Sequence, residues 1–233
     1  IVEDASHALG GIYNNKVIGN CEFSDICVFS FHPVKIITTG EGGIVLTKNS
    51  TIAKKIKLLR SHGTLKNIKN SNFYKNEIWN YKQYYLGYHY RMTDINATLG
   101  ISQLRRVDSF VKKRNFIAKK YNNAFKKLPI LTQKINQNCL SSYHLYLFKI
   151  DKGKTKKTRN QLYKFLEENN IQPNFHYIPV YRHPFHNKKK YKKNMYEETE
   201  NYFKNAITIP LHTKLTSKEQ NYIISVINKF FDK

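Results

Sequence analysis

The first fifty residues alternate short apolar runs with turns rich in glycine and asparagine. The apolar runs are IVEDA (1–5), DICVFSF (25–31) and GGIVLT (42–47), and the turn-like segment GIYNNKVIGN separates the first two. Short runs of this kind, rich in Val, Ile and Phe and bounded by Gly or Pro, are typical of strands buried on both faces. This pattern limits the fold to one built on a largely buried sheet.

After these runs the apolar period becomes that of a helix. The segment STIAKKIKLLRSHG (50–63) begins with a Ser/Thr cap, ends on Gly63, and places Ile52, Ile56 and Leu59 at helical spacing. Residues 64–86 are polar and aromatic, and we expect a loop there.

Residues 93–128 predict two successive helices or one long bent helix, with Thr93 or Asp94 as the cap. The predicted apolar stripe comprises Ile95, Leu99, Leu104, Val107 and Phe110.

The remainder of the chain alternates predicted strands with predicted helices. The strands are YHLYLFKI (143–150) and AITIPL (206–211), the helices are KTRNQLYKFLEENN (157–170) and TSKEQNYIISVINKFF (216–231, with Ser217 as cap), and IQPNFHYIPV (171–180) is extended. Such alternation implies α/β or α+β packing. We place a domain boundary near residues 115–130, which gives domains of residues 1–120 and 121–233.

The chain is strongly basic, but its charge does not indicate one class of partner. Lys and Arg total 40 against 16 acidic residues, a formal charge of +24, which by itself favours a polyanionic partner. However, 33 of the 40 are Lys and 25 residues are Asn, whereas base readout favours Arg. The basic residues are scattered, apart from the run HNKKKYKKN (186–194). We therefore expect no nucleic-acid partner and keep a basic nucleic-acid-binding module only as a remote alternative.

Other simple features exclude several classes of protein. No apolar run approaches 18 residues and the first residues lack the pattern of a signal peptide, so we expect no membrane association and a cytoplasmic location. The three cysteines, Cys21, Cys27 and Cys139, contain no CxxC pair, so neither a disulfide framework nor a metal site is expected. Because the chain starts with Ile inside an apolar run, we expect that an N-terminal part is missing.

Three polar residues near the first strands have side chains suited to catalysis. Asp4 follows an apolar run, which places its carboxylate at the carboxyl end of a strand, where open α/β sheets bind ligands. Lys35 lies in a segment rich in Gly and Thr, where a partly desolvated amine can attack a carbonyl group. Ser30, five residues earlier, can offer a hydroxyl group to an anion. Each residue alone has a structural or solvated alternative.

Together, these residues belong to motifs that resemble those of the DegT/DnrJ/EryC1/StrS family of sugar-nucleotide aminotransferases. The matching motifs are VEDASHALG (2–10), SFHPVK (30–35), TTGEGG (38–43), LRSHG (59–63) and LGYHYRMTDINATLGISQL (86–104), with weaker matches at 175–181 and 206–212. The resemblance implies a dependence on pyridoxal 5'-phosphate (PLP) and an α/β class, the type I PLP-dependent transferase fold. Residues 1–120 would then be the C-terminal part of the large mixed-sheet PLP-binding domain, and residues 121–233 the small C-terminal α+β domain.

The resemblance also implies roles for five residues. Lys35 would be the catalytic lysine that bonds to the cofactor, and Asp4 the partner of the ring nitrogen. His7 would lie beside the ring, and Ser30 would bind the cofactor phosphate. His89 stands where relatives often have an Asn that reaches the cofactor phosphate of the neighbouring subunit; a structural aromatic turn is the alternative for this position.

Within the family, the motifs are most similar to those of the members that act in pseudaminic acid biosynthesis. The implied reaction moves the amino group of L-glutamate to C4 of a UDP-linked 4-keto-6-deoxy amino sugar, in a homodimer. The alternatives are another sugar-nucleotide aminotransferase of the same family and a catalytically idle copy. Because about 150 residues of the family fold would precede residue 1, we expect these 233 residues alone to neither hold PLP tightly nor turn over substrate.

Overall fold

The computed structural model describes residues 1–66, 81–186 and 193–232. The chain divides into two compact units, Ile1–Val107 and Asp108–Lys233. The predicted boundary after residue 120 falls inside a helix, and the assignment of the two parts as large and small domains stays a prediction. Residues 187–192 of the lysine-rich run lie outside the described residues.

Unit 1 contains a three-stranded mixed sheet. Strand β4 (Ile26–Ser30) is central, with β1 (Val2–Asp4) parallel to it on one side and β5 (Gly43–Leu46) antiparallel on the other. Strands β2 (Ile12–Tyr13) and β3 (Lys16–Val17) form a separate hairpin in the stretch of chain that connects β1 to β4. Both residues of its turn, Asn14 and Asn15, have positive φ, as a two-residue turn of this kind requires.

The predicted burial of all three strands on both faces is wrong for β1 and β5. In β4, Cys27 and Phe29 are buried and the other residues are half-buried. Val2 in β1 is 69% exposed, and Ile44 and Val45 in β5 are also exposed. Strands β1 and β5 are the edges of this sheet, and β4 lies between them. An apolar run shows that a strand could be buried, but burial of its side chains needs another layer packed on each face of the sheet.

Helix α1 (Ser50–Arg60) follows β5. Its N-cap is Asn49 rather than the predicted Ser/Thr, because the Asn49 side chain accepts hydrogen bonds from the amides of Thr51 and Ile52. The predicted stop at Gly63 is confirmed: Gly63 has φ +69° and its amide donates to the carbonyl of Leu58.

The segment expected to be a loop contains two short strands. These are β6 (Thr64–Lys66) and β7 (Tyr81–Gln83), which pair antiparallel. Residues 67–80, between them, lie outside the described residues.

Two successive helices follow, as one of the two alternatives predicted. They are α2 (Asp94–Leu104), capped by Thr93, and α3 (Val107–Ala124). The expected apolar stripe is not buried on α2, where Ile95 is 83% exposed and Leu104 is also exposed. Helical spacing alone predicts the stripe, and spacing does not show whether another element packs on that face of the helix.

Unit 2 is built on a three-stranded antiparallel sheet in the order β10-β9-β8. Its strands are β8 (Ile130–Thr132), β9 (Tyr146–Ile150) and β10 (Ala206–Ile209), and its helices are α3, α4 (Arg159–Glu168), α5 (Glu197–Asn205) and α6 (Ser217–Asp232). Alternate residues of β9 are buried, and all four residues of β10 are buried. The helices α3, α4 and α6 supply the rest of one continuous apolar core.

Two helix starts in unit 2 carry reciprocal capping contacts. Thr158 and Gln161 form a capping box on α4. On α6 the cap is Thr216, not the predicted Ser217: its hydroxyl accepts from the amide of Glu219, whose carboxylate accepts from the amide of Thr216. Residues 171–180, predicted as extended, form a single bridge, between Asn174 and Thr208 of β10, and end where a short 3-10 helix (Val180–Arg182) begins. No helix among the described residues is long and apolar enough to cross a membrane.

Candidate active site

The carboxyl ends of two parallel strands bring two of the five predicted site residues, Asp4 and Ser30, to one edge of the sheet. Asp4 is the last residue of β1 and Ser30 is the last residue of β4. The parallel register pairs Asp4 with Val28, so both side chains lie at the same edge of the sheet. This edge is where open α/β sheets bind ligands.

Asp4 is held as a carboxylate. Its Oδ1 accepts hydrogen bonds from the backbone amide of Ser6, at 3.0 Å, and from the Ser6 hydroxyl, at 2.5 Å. These bonds lower the pKa of Asp4 below its usual value. Burial opposes them, and the nearby charges of His7 and Lys35 each add a lowering effect that is weaker than that of burial. Asp4 is therefore expected to be ionised at neutral pH, and the roles of Asp4, His7 and Lys35 toward a cofactor stay predictions.

Lys35 lies half-buried in a loop that hydrogen-bonds to itself. The carbonyl oxygen of Phe31 accepts two hydrogen bonds, one from the backbone amide of Thr39 and one from the hydroxyl of Thr38, each at 3.0 Å. The amide of Phe31 donates to the carbonyl of Gly42 at 2.8 Å. We call residues 31–42 the lysine loop. Its closed shape fixes the backbone from which the Lys35 side chain extends.

Helix α2 contacts the lysine loop through three residues of the motif 86–104 for which the sequence predicted no individual role. Gln103 Oε1 accepts from the amide of Thr38, and Asn96 Nδ2 donates to the carbonyl of Glu41, each at 3.3 Å. Gly100 lies against the methyl group of Thr39. The signal in the sequence was the spacing of these three residues, i, i+4 and i+7, which places them on one helical face.

His89, the fifth predicted site residue, is fixed by a different part of the unit. It bridges to Ser61, its Nε2 lies 3.0 Å from the Arg91 guanidinium, and its ring lies edge-on to His62, at 5.1 Å between centroids. The segment between α1 and α2 therefore sets its position, rather than strands β1 and β4. Its role toward a phosphate stays a prediction.

A comparison with protein-family models identifies the family of the chain. The model for the DegT/DnrJ/EryC1/StrS aminotransferase family matches residues 1–228. The chain belongs to the DegT/DnrJ/EryC1/StrS family. The resemblance of the short motifs is thus confirmed over nearly the whole chain.

Curated proteins of the family are similar along the full length of the chain. A protein of Methanocaldococcus jannaschii, described as uncharacterized, is 38% identical over 98% of this chain and 59% of its own length. The UDP-4-amino-4,6-dideoxy-N-acetyl-beta-L-altrosamine transaminase of Campylobacter jejuni is 35% identical over 100% of this chain and 59% of its own length. The chain thus spans about three-fifths of the length of these relatives.

Solved structures of family members have the same fold. Spr1654 of Streptococcus pneumoniae, named as a sugar aminotransferase and solved in its PMP-form, is 30% identical and covers 100% of this chain and 59% of its own, with a TM-score of 0.88. A PLP-form of the same protein matches with a TM-score of 0.86. The predicted fold class, α/β of the PLP-dependent aminotransferase type, is confirmed.

The side chains at the strand edge fit pyridoxal phosphate by their chemistry. An ionised carboxylate suits a protonated ring nitrogen, a half-buried amine suits a bond to the aldehyde carbon, and a hydroxyl suits a phosphate oxygen. Asp4, Lys35 and Ser30 supply these three groups. No cluster of His, Cys, Asp and Glu that could hold a metal ion occurs among the described residues.

Proposed function

We propose that this chain carries the catalytic lysine of a PLP-dependent sugar-nucleotide aminotransferase. The observation that supports this most directly is the edge of the sheet where the parallel strands β1 and β4 end, which carries Asp4, held as a carboxylate by Ser6, together with Ser30. A carboxylate for the ring nitrogen and a lysine that bonds to the cofactor are the side chains that amine transfer through PLP requires.

Each site residue has a defined task in this proposal. PLP, when bound, supplies a ring that accepts electrons from a carbon atom that is losing a proton. The Asp4 carboxylate, which its lowered pKa keeps ionised at neutral pH, would hold a proton on the ring nitrogen. Lys35 Nζ would hold the cofactor covalently and, once the amino donor has displaced it, would serve as base and then as acid for the proton that moves between carbon atoms. The Ser30 hydroxyl would donate to the phosphate, and His7 would lie beside the ring.

The substrate and assembly follow the named relatives. We propose L-glutamate as amino donor and a UDP-linked 4-keto-6-deoxy amino sugar as acceptor, because the 35% identical Campylobacter jejuni protein is named for this class of product. Another sugar nucleotide is the alternative, since the more similar archaeal relative carries no substrate in its name. We further propose a homodimer in which His89 reaches the phosphate site of the partner, and a cytoplasmic location.

The test uses the complete reading frame, purified with PLP, reduced with borohydride and digested for peptide mass spectrometry. We expect a phosphopyridoxyl mass on the peptide that contains Lys35. A Lys35→Ala variant should carry no such mass at this peptide, whereas a Lys54→Ala variant, altered at an exposed position of α1, should keep it. An Asp4→Asn variant should keep the adduct and lose most of its turnover, because the amide cannot hold a proton on the ring nitrogen.

A well-folded protein without an adduct at Lys35 would refute the aminotransferase proposal. In that case, binding of the protein to nucleic acid at low and physiological salt would test the remote alternative, since polyanion binding weakens by orders of magnitude over that range. An adduct at Lys35 leaves the acceptor to be found by assay of UDP-4-keto sugars with glutamate.

A further inference from the structure

The lysine loop receives three contacts from a single face of α2. The contact residues are Asn96, Gly100 and Gln103, and their spacing of four and three residues stacks them along the helix. The helix itself is anchored at its start, where Thr93 accepts from the amide of Asn96. The helix cap therefore holds the backbone of Asn96 independently of the loop that its side chain contacts.

We propose that this face of α2 is a brace that positions Lys35, with Asn96, Gly100 and Gln103 as positioning residues. The inference rests on the proposed function for the role of Lys35, but the brace itself is a property of the polypeptide. None of the three residues is assigned a catalytic task. They act on the loop, and the loop carries the lysine.

The two polar contacts hold opposite ends of the turn that follows Lys35. Gln103 accepts from Thr38, three residues after the lysine, and Asn96 donates to the carbonyl of Glu41. At 3.3 Å both hydrogen bonds are longer than the usual 2.9–3.0 Å, so each is individually modest. Together they oppose sliding of the loop along the helix, because they hold the loop at two separate points.

The steric contact is the sharper constraint. A Cβ atom on Gly100 would lie 2.7 Å from Thr39 Cγ2, which is closer than carbon atoms pack. Thr39 cannot move aside freely, because it is 2% exposed and its hydroxyl donates to the carbonyl of Glu41 at 2.8 Å. Any side chain at position 100 would therefore push the loop away from α2.

A compensating pair of substitutions isolates this contact. Gly100→Ala should displace the loop, and Thr39→Ser should relieve the overlap, because serine lacks the Cγ2 methyl group and keeps the hydroxyl that donates to Glu41. A second pair tests the polar contact: Gln103→Leu removes the acceptor for the Thr38 amide, and Gln103→Glu retains it. Ser102→Ala, at an exposed neighbour on the same helix, is the matched control.

The first measurement needs no cofactor. In hydrogen exchange of the complete chain without PLP, peptides covering residues 31–42 should exchange about fivefold faster in Gln103→Leu than in the wild type, the effect of one modest hydrogen bond. Gly100→Ala should accelerate the same peptides, and the Gly100→Ala/Thr39→Ser double variant and Gln103→Glu should return to wild-type rates. Unchanged exchange in both Gly100→Ala and Gln103→Leu would overturn the brace, whatever the protein catalyses.

The second measurement joins the brace to the chemistry. With PLP, Gly100→Ala should lower kcat about tenfold or more, because small misplacements of a catalytic group are costly, and the double variant should recover it. If Gly100→Ala accelerates hydrogen exchange in residues 31–42 but keeps the wild-type kcat, the assignment of these residues as positioning residues is overturned. If the wild-type enzyme forms no adduct at Lys35, the proposed function fails, while the exchange result still decides whether α2 braces the loop.

Discussion

Arg114 offers the most direct test of what holds unit 2 together. It lies on α3, is 6% exposed, and its Nη1 donates to the carbonyls of Tyr143, His144 and Leu211 at 3.0 to 3.2 Å. Two of these carbonyls precede β9 and the third follows β10, so one guanidinium joins α3 to the ends of two neighbouring strands. Among the described residues no carboxylate forms an ion pair with it, and burial lowers its pKa.

The expected cost of Arg114→Met follows from these contacts. Each buried carbonyl that loses its donor costs about 1–3 kcal/mol, which is partly offset because a desolvated charge is also removed. We expect a net loss of about 3 kcal/mol in the free energy of unfolding of unit 2. Since 1.4 kcal/mol is tenfold, the core amides of β9 should exchange roughly 150-fold faster in the complete chain.

The control for this substitution lies two positions earlier on the same helix. Lys112 is exposed, and Lys112→Met should change stability by no more than about 0.5 kcal/mol. Hydrogen exchange of residues 146–150, followed by mass spectrometry, measures both variants. A loss below about 1 kcal/mol for Arg114→Met would refute the reasoning, because it would mean that the three carbonyls find other donors at little cost.

Two further substitutions and one titration test other parts of the fold. Gly63→Ala should destabilise unit 1 by at least about 2 kcal/mol in thermal unfolding, because the residue has positive φ and its Cβ would overlap the carbonyl oxygen of Tyr85. Gly40→Ala, also at positive φ but with open space around the Cβ, should cost only about 1 kcal/mol, and equal losses would show that the overlap is relieved. Hydrogen bonds from Thr216 lower the pKa of Glu219 below its ordinary value of 4.5, so the cap of α6 contributes stability above that pH and loses it as the pH falls through the lowered pKa. Amide exchange at the start of α6 should therefore accelerate on acidification in the wild type, whereas Glu219→Gln should remove this dependence; an unchanged pH profile in the variant would contradict the linkage.

The architecture of unit 2 could be predicted because its signals are local. The segments YHLYLFKI and AITIPL, both predicted as strands, contain β9 and β10 within a few residues of their observed ends. The order of the strands in the sheet could not be predicted from local sequence patterns. Pairing of β9 with β8 and β10 depends on the packing of α3, α4 and α6, which sequence periodicity does not report.

Helix caps and burial show the limit of local signals. Asn49 and Thr216 each precede another residue that can also cap, so composition alone could not choose between neighbours. Burial of the α2 stripe failed for a different reason. Apolar spacing shows which face could pack, and only the tertiary structure shows that Ile95 and Leu104 remain exposed.

The candidate site was predictable where chemistry and motif coincide. Asp4, Ser30 and Lys35 combine a reactive side chain with a position next to a strand, so the sequence marks them. Asn96 and Gln103 carry unreactive amides in a helix with many polar neighbours. Their importance depends on the carbonyl and amide groups that they meet in the lysine loop, which lie more than fifty residues away along the chain.

The pairing of β9 with β10 also bears on how the chain is made. Tyr146 pairs with Ile209, 63 residues later, and the intervening chain includes α4 and α5. At a synthesis rate of about 5–20 residues per second, β9 waits roughly 3–13 s for its partner strand to leave the ribosome. During that interval its apolar side chains and one row of backbone groups are uncovered, so the nascent chain presents a binding site for chaperones. Slowing translation between these strands should lower the yield of native protein.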